Sequence, residues 1–325
     1  MDGALPAAFP AFEPVHGGDI PIIAGFECGR LHWSGHDLLQ STGHLPDAGM
    51  AHHYATAIGQ GAAGARDGLS WRHDVVARVQ AVPDGFPVIW DFCHFDLPPR
   101  PAAHAIACAV ALPPGAWAIA VNEPSVGRRV SGITPSRAIA AARRMMTSAA
   151  MLPNAPRFAT CDPFHHLAPS VFRATDELVG TGLVQMVGVN YYPHHAIEPL
   201  HRVLQAVSER YRLPVMITET GWHDGLRAAH RRFPHIRDRW GWLAHVRAEV
   251  ALSGVPVAGI CWYPWLDMPD WGDPHRGRWP CGWPGVRDSA STMPGPGPME
   301  WCTRGRGSPG GCTLCCSRWL LTAPA

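Results

Sequence analysis

The chain reads as one closed (β/α)8 barrel, and three observations predict it. Apolar, β-rich runs recur eight times between residues 20 and 282, with helix-like segments between them. The runs lack the alternation of half-buried strands, as expected of parallel strands covered on both faces. The length, 325 residues, suits one undivided barrel of this kind.

Ile20 to Glu27 is the first strand, and Ala62 to Arg66 the second, the latter read mainly from the residues after it. Phe86 to Phe92 and Ala116 to Asn122 are the third and fourth, and Arg157 to Thr160 is a short fifth. Leu183 to Asn190, Pro214 to Glu219 and Val257 to Tyr263 complete the set. Between them, Leu200, Val203, Leu204, Val207 and Tyr211 make one apolar stripe at helical spacing. Pro135 to Met151, rich in Ala, Arg and Met, puts Ile139, Ala142, Met146 and Ala149 on one side. Trp242, Val246 and Val250 mark another helix, which Ser253-Gly254 closes before the last strand. A doubly wound sheet is the alternative, but nothing resembles a Gly-rich phosphate loop opening a helix.

Residues 1–19 read as an N-terminal extension, 20–282 as the barrel and 283–325 as an irregular tail. The tail shows no helix period where an eighth helix is due, and five of the ten cysteines lie at or after Cys281. Cys312, Cys315 and Cys316 have zinc-ligand spacing, but Cys302 alone supplies the second ligand pair poorly. A disordered or aberrant tail is the preferred reading.

Composition excludes several functions. A net charge of +1 and 16% charged residues leave no basic face for nucleic acid and no acidic disordered chain. The 33 prolines and 34 glycines predict short elements and structured loops. No stretch approaches a membrane span, and the start carries no basic, apolar leader. The cysteines are therefore expected to be reduced and the protein cytoplasmic. The sequence is silent on oligomeric state.

In barrels of this class the C-terminal strand ends face the site. The polar residues there are Glu27, Arg66, His94, Asn122, Glu123, Asn190, Tyr191, Tyr192, Glu219 and Tyr263. Glu123 and Glu219 each follow an apolar strand-like run, and two carboxyls at two strand ends suffice to cleave a glycosidic bond. The other residues offer partners for hydroxyls and an arginine able to keep one carboxylate ionised.

At these positions the chain resembles clan A glycoside hydrolases, most closely family 1 β-glycosidases and their shorter bacterial relatives. Arg66-Asp-Gly-Leu-Ser-Trp71 has the arginine, serine and tryptophan spacing of that family's second strand. His94-Phe-Asp-Leu-Pro98, Asn122-Glu123-Pro124 and Asn190-Tyr191-Tyr192 are similar to its motifs on strands three, four and six. Thr218-Glu219-Thr220-Gly221 resembles the nucleophile motif on strand seven. The segment from Tyr263 through Asp267 and Asp270 to Trp271 has the spacing seen after strand eight. Six motifs in order cover roughly residues 20 to 282.

The resemblance implies roles. Glu123 is expected to protonate the leaving oxygen and then activate water, and Glu219 to attack the anomeric carbon, with net retention. Arg66 and one tyrosine, Tyr192 by preference over Tyr191, are expected to hold Glu219 ionised. The charge of Glu219 should raise the pKa of Glu123. His94 and Asn122 are expected at ring hydroxyls, and Trp262, Tyr263 or Trp265 as a platform for the sugar face. Glu27 stands where the family has a glutamine, Asp270 where it has a glutamate, and Tyr263 where tryptophan is usual. These departures, and the shorter loops, bear on which sugar is taken. No cofactor or metal is expected, and the partner is a small carbohydrate or glycoside.

Plainer readings stand beside these. A lone strand-end glutamate is more often a solvated loop residue, His94 alone a core histidine, Arg66 a structural ion-pair partner, and most of the fourteen tryptophans packing. A carbohydrate-binding barrel without turnover is the alternative from another class. A metal-dependent barrel hydrolase ranks lower. The pairs His52-His53, His165-His166 and His194-His195 diverge on a strand and do not share a helix face. Nor does the chain contain His-Glu-x-x-His.

Overall fold

The structure, a computed structural model, describes residues 12–16, 19–27, 32–33, 36–37, 49–126, 132–222, 227–266, 268–270, 273–279 and 283. Eight parallel strands close into a barrel: β1 (Ile22–Gly25), β2 (Gly64–Gly68), β3 (Val88–Asp91), β4 (Trp117–Ile119), β5 (Arg157–Pro163), β6 (Val184–Asn190), β7 (Val215–Thr220) and β8 (Val257–Trp262). Each pairs with its sequence neighbours, and β1 joins β8 through Ile22–Ile260, Ile23–Cys261 and Ala24–Trp262. Every strand expected from sequence is present within a few residues, and the open-sheet alternative falls with the closure.

Helices follow the strands: α1 (Met50–Gly59), α2 (Val75–Gln80), α3 (Pro101–Ala111), α4 (Pro135–Ala150), α5 (Pro169–Val179) and α6 (Leu200–Tyr211) come one per strand, while α7 (Arg227–Arg232) and α8 (Arg239–Ser253) both follow β7. Their ends carry local signals. Thr134 caps α4 by accepting from the Arg137 amide just ahead of Pro135, and Asp238 caps α8 by accepting from the Gly241 amide at 2.7 Å. Gly254 ends α8 in a left-handed conformation at φ 65°, which an L side chain adopts only with strain. The buried face of α6 is Leu200, Val203, Leu204 and Val207, the stripe read from the sequence.

Two apolar layers result. Outward strand faces such as Ile217, Val257, Ile260 and Trp262 pack under the helices. The lumen is filled by Ile23, Ile89, Ile119, Ala159, Cys161, Met186, Met216, Ala258 and Cys261, with Phe12 added from ahead of β1. Gly64 makes room for that ring, because a Cβ there would lie 3.2 Å from two Phe12 ring carbons. Val15 then bridges antiparallel to Val257. Part of the segment expected as an extension thus plugs the barrel.

After β8, a pair of antiparallel strands, Met268–Asp270 and Asp273–Trp279, is the regular structure among the described residues. Trp283 stacks on Trp265 at 4.8 Å and meets Trp262 edge-on at 5.6 Å, so it covers the outer face of β8. The remainder of the expected tail, with its candidate zinc cysteines, lies outside the described residues. Among those described, no helix is long and apolar enough to cross a membrane.

Candidate active site

Arg66, at 0% exposure in the middle of β2, is the hub of the C-terminal face. Its guanidinium takes Asp91 in a bidentate pair, Nε to Oδ1 at 3.0 Å and Nη2 to Oδ2 at 2.7 Å. Nη1 donates to Glu219 Oε1 at 2.8 Å and to the Thr218 carbonyl at 2.9 Å. Nη2 also donates to Asn122 Oδ1 at 2.8 Å. A buried guanidinium with this many acceptors stays charged, and the fork fixes the angle between three strand ends.

Glu219 reaches this hub through an irregularity of β7. Val189 pairs with Ile217 and Asn190 with Glu219, so β7 carries one residue more than β6 between those pairs. The same excess appears against β8, where Ile260 pairs with Ile217 and Trp262 with Thr220. A bulge re-aims the side chain at its position. Here Thr218 bonds Asn190 Oδ1 at 2.7 Å, while Glu219 meets Arg66 on one oxygen and the Tyr192 hydroxyl, at 2.9 Å, on the other. Burial and the Glu219 charge hold the Tyr192 phenol well above its ordinary pKa, so it stays a donor.

Glu123 lies just past β4 in a left-handed backbone conformation at φ 44°, uncommon for a residue with a side chain. Its amide donates to the Cys161 carbonyl at 3.1 Å, and Asn190 Nδ2 donates to its Oε1 at 2.7 Å. Burial, then the Glu219 charge, pushes this carboxyl up to about 8, against a smaller pull from the Asn190 amide. One carboxyl is thus gripped by a cation and a phenol, while its neighbour is disposed to keep its proton.

Asn122 and His94 complete the network. His94 Nδ1 lies 3.2 Å from Asp91 Oδ2, and its Nε2 lies 3.4 Å from Asn122 Nδ2. The Tyr263 ring lies 6.3 Å from the His94 ring. Glu27, at 0% exposure, has Oε1 3.3 Å from Arg66 Nη1. Burial raises its carboxyl well above the ordinary range. A pocket between the first three strand ends is lined by Glu27, Ser70, Asp91, His94 and Asp96, among others.

Three residues expected at the sugar lie elsewhere. Tyr191 turns to the helix layer, where its hydroxyl donates to the Glu198 carbonyl at 2.8 Å and its ring stacks on Trp242. Trp262 also points outward, against Trp283, and Trp265 is buried with its Nε1 on Gln60 Oε1. In a strand, neighbours of an inward residue face out: Asn190 and Cys261 take the lumen, so Tyr191 and Trp262 cannot. The Asp270 side chain lies outside the described part of the structure, although its backbone is in the strand pair after β8.

Some residues of the site escaped the sequence reading. Asp91, within an apolar run, is the main partner of Arg66, and alternation from the lumen residue Ile89 would have placed it inside. Asp162 accepts from the Ser125 hydroxyl at 2.7 Å behind Glu123, and burial pushes its carboxyl up to about 7. The Cys161 thiol donates to Asn122 Oδ1 at 2.9 Å. No motif signals either residue. Among the described residues, no group of three or more histidine, cysteine or acidic side chains is arranged to hold a metal.

No family model matches this chain, and no curated protein does. Solved structures do share its fold. Family 1 b-glucosidase from Thermotoga maritima superposes at a TM-score of 0.53 with 12% identity, over 82% of this chain and 93% of that one. The same organism's beta-glucosidase in complex with cyclophellitol gives 0.52 and 12%, over 80% and 91%. The AHE enzyme from Alicyclobacillus herbarius gives 0.50 and 14%, over 82% and 92%. The chain has the barrel fold of these proteins along most of its length.

Proposed function

We propose that this protein is a retaining glycoside hydrolase for β-linked glycosides, with Glu219 as nucleophile and Glu123 as acid/base. The observation that carries the reading is the split between the two carboxyls. Glu219 is held by Arg66 and Tyr192, while burial and the Glu219 charge raise Glu123 to about 8. A nucleophile must be ionised and an acid protonated at the same pH, and this environment supports both.

In the first half-reaction Glu219 attacks the anomeric carbon while Glu123 gives its proton to the departing oxygen. The resulting ester removes the negative charge beside Glu123, whose pKa then falls, and the carboxylate deprotonates the incoming water. In this reading Asn122 and His94 contact ring hydroxyls, and Tyr263, whose ring lies 6.3 Å from that of His94, is the aromatic residue offered to the sugar. No step uses a metal or cofactor. The shared fold with β-glucosidases agrees with this chemistry. Cys93, Cys108, Cys161 and Cys261 are free and buried, which suits a reducing compartment such as the cytoplasm.

The test is a panel of nitrophenyl α- and β-glycosides, with Glu219→Gln in parallel. Release from β-glycosides that disappears in the variant, with the product anomer followed by NMR, is the expected result. Unchanged hydrolysis by Glu219→Gln would falsify the nucleophile assignment, and inversion would overturn the two-step scheme. A folded protein that binds sugars but releases nothing would point to a binding barrel. Loss of activity to a chelator would point to a metal-dependent hydrolase.

A further inference from the structure

Glu27 is the feature of this site that the two-carboxyl reaction leaves unused. It lies just past β1 with both carboxyl oxygens buried and no hydrogen-bond partner for either among the described residues. Its nearest cation, Arg66 Nη1 at 3.3 Å, is already committed to Glu219 and the Thr218 carbonyl. Its own strand makes space for the group, since a Cβ on Gly25 would lie 3.2 Å from Glu27 Oε2. Glu27 is one of the residues that line the pocket presenting Asp91 and His94, with its carboxyl oxygens buried behind that lining.

The charge balance around that lining is uneven. Arg66 serves Asp91, Glu219 and Glu27, one guanidinium against three carboxyls. Asp96, on the same pocket, is paired outward with Arg72 at 2.7 Å. A neutral sugar would leave this excess uncompensated, or require Glu27 to remain a buried acid. A second cation delivered by the substrate would relieve it and supply the donors that the Glu27 oxygens lack.

Resting on the glycosidase reading above, we propose that the sugar taken into this pocket carries a free, protonated amino group, which Glu27 binds as a carboxylate. The substrate class is a β-glycoside of an unacetylated amino sugar. Entry of the ammonium replaces the proton that burial otherwise keeps on Glu27, with that proton passing to solvent. An N-acetylated sugar would lose both the charge and the room for this contact.

The experiment compares kcat/KM for nitrophenyl β-glucosaminide, β-glucoside and N-acetyl-β-glucosaminide, and likewise the galacto series, in the wild type and Glu27→Gln. A preference for the free amine of about tenfold or more, from a hydrogen bond between charged groups, is expected in the wild type and should collapse in the variant. Equal or better cleavage of the neutral sugar, with the ratio unmoved by Glu27→Gln, overturns the inference and leaves the glycosidase reading intact. If the wild type cleaves nothing, the melting temperature in glucosamine against glucose decides separately. Stabilisation by glucosamine alone, absent in Glu27→Gln, supports the inference, and equal response to both sugars overturns it.

Discussion

The alkaline limb of the pH–rate profile is the sharpest consequence of the site's electrostatics. As the proposed acid, Glu123 can donate a proton only while protonated, so kcat/KM for a substrate with a poor leaving group should fall as pH rises through about 8. Asn190 sets where this happens, because its amide donates to Glu123 Oε1 at 2.7 Å and favours the ionised form. In Asn190→Ala that support is gone, and the carboxyl should hold its proton to higher pH. A hydrogen bond to a charged group contributes about 1.5–3 kcal/mol. One pKa unit corresponds to about 1.4 kcal/mol, so the limb should move up by about one to two units. The assay is release of the alcohol from an alkyl β-glycoside between acid and alkaline pH. The matching nitrophenyl glycoside serves as control, since its leaving group needs little help and its limb should be shallower. A melting curve first establishes that the variant is folded, because Asn190 also accepts from Thr218. A limb that stays in place, or moves to lower pH, would refute the assignment of Glu123 as the titrating acid.

Four further outcomes follow from the same contacts. Glu123→Gln should lower turnover of the alkyl glycoside by roughly 10²–10⁴, the usual range for a positioned acid, with a smaller loss on the nitrophenyl substrate. The same variant should melt higher than the wild type at alkaline pH. Its folded carboxyl is raised from 4.5 to about 8, so the stability it contributes is present at acid pH and lost as pH rises through 8. Melting temperatures that differ equally at all pH values would contradict this. Asp91→Ala should cost about 3–5 kcal/mol in urea unfolding, since it strips the bidentate partner from a buried arginine. Gly188→Ala would place a Cβ 2.5 Å from the Thr160 carbonyl and the Thr218 side chain. Overpacking of this kind costs about 1–3 kcal/mol, and activity should fall further as the strand bearing Glu219 shifts.

How much of this was legible beforehand depended on the kind of signal. The strands were readable because burial on both faces makes each a continuous apolar run, and Ser253-Gly254 marked a helix end by its chemistry. That Glu123 and Glu219 lie at strand ends, joined through Asn190, Thr218 and Arg66, was readable as far as the strand ends and motif order go. Which way a neighbouring aromatic points was harder, since Tyr191-Tyr192 and Trp262-Tyr263 put the same chemistry at adjacent positions. A one-residue step decides between lumen and helix layer. The bulge that turns Glu219 inward is a matter of register between strands, and no local pattern records it. Asp91 was hidden for a related reason: in a run of apolar residues, a charge shows its purpose only once its partner from another strand is known.

The Phe12 plug and the Val15–Val257 bridge have a consequence for how the chain is made. Both ends of the barrel sequence meet there, so the floor cannot be laid when the first strand leaves the ribosome. It must wait for β8, whose contacts to β1 also span nearly the whole barrel. Until then the nascent chain carries an open sheet with unpaired edges, and folding dominated by such distant pairings is slow. A chain shortened past Phe12, or one bearing a bulky fusion directly before it, should therefore suffer in yield and solubility well before any change reaches the carboxyls at the opposite mouth.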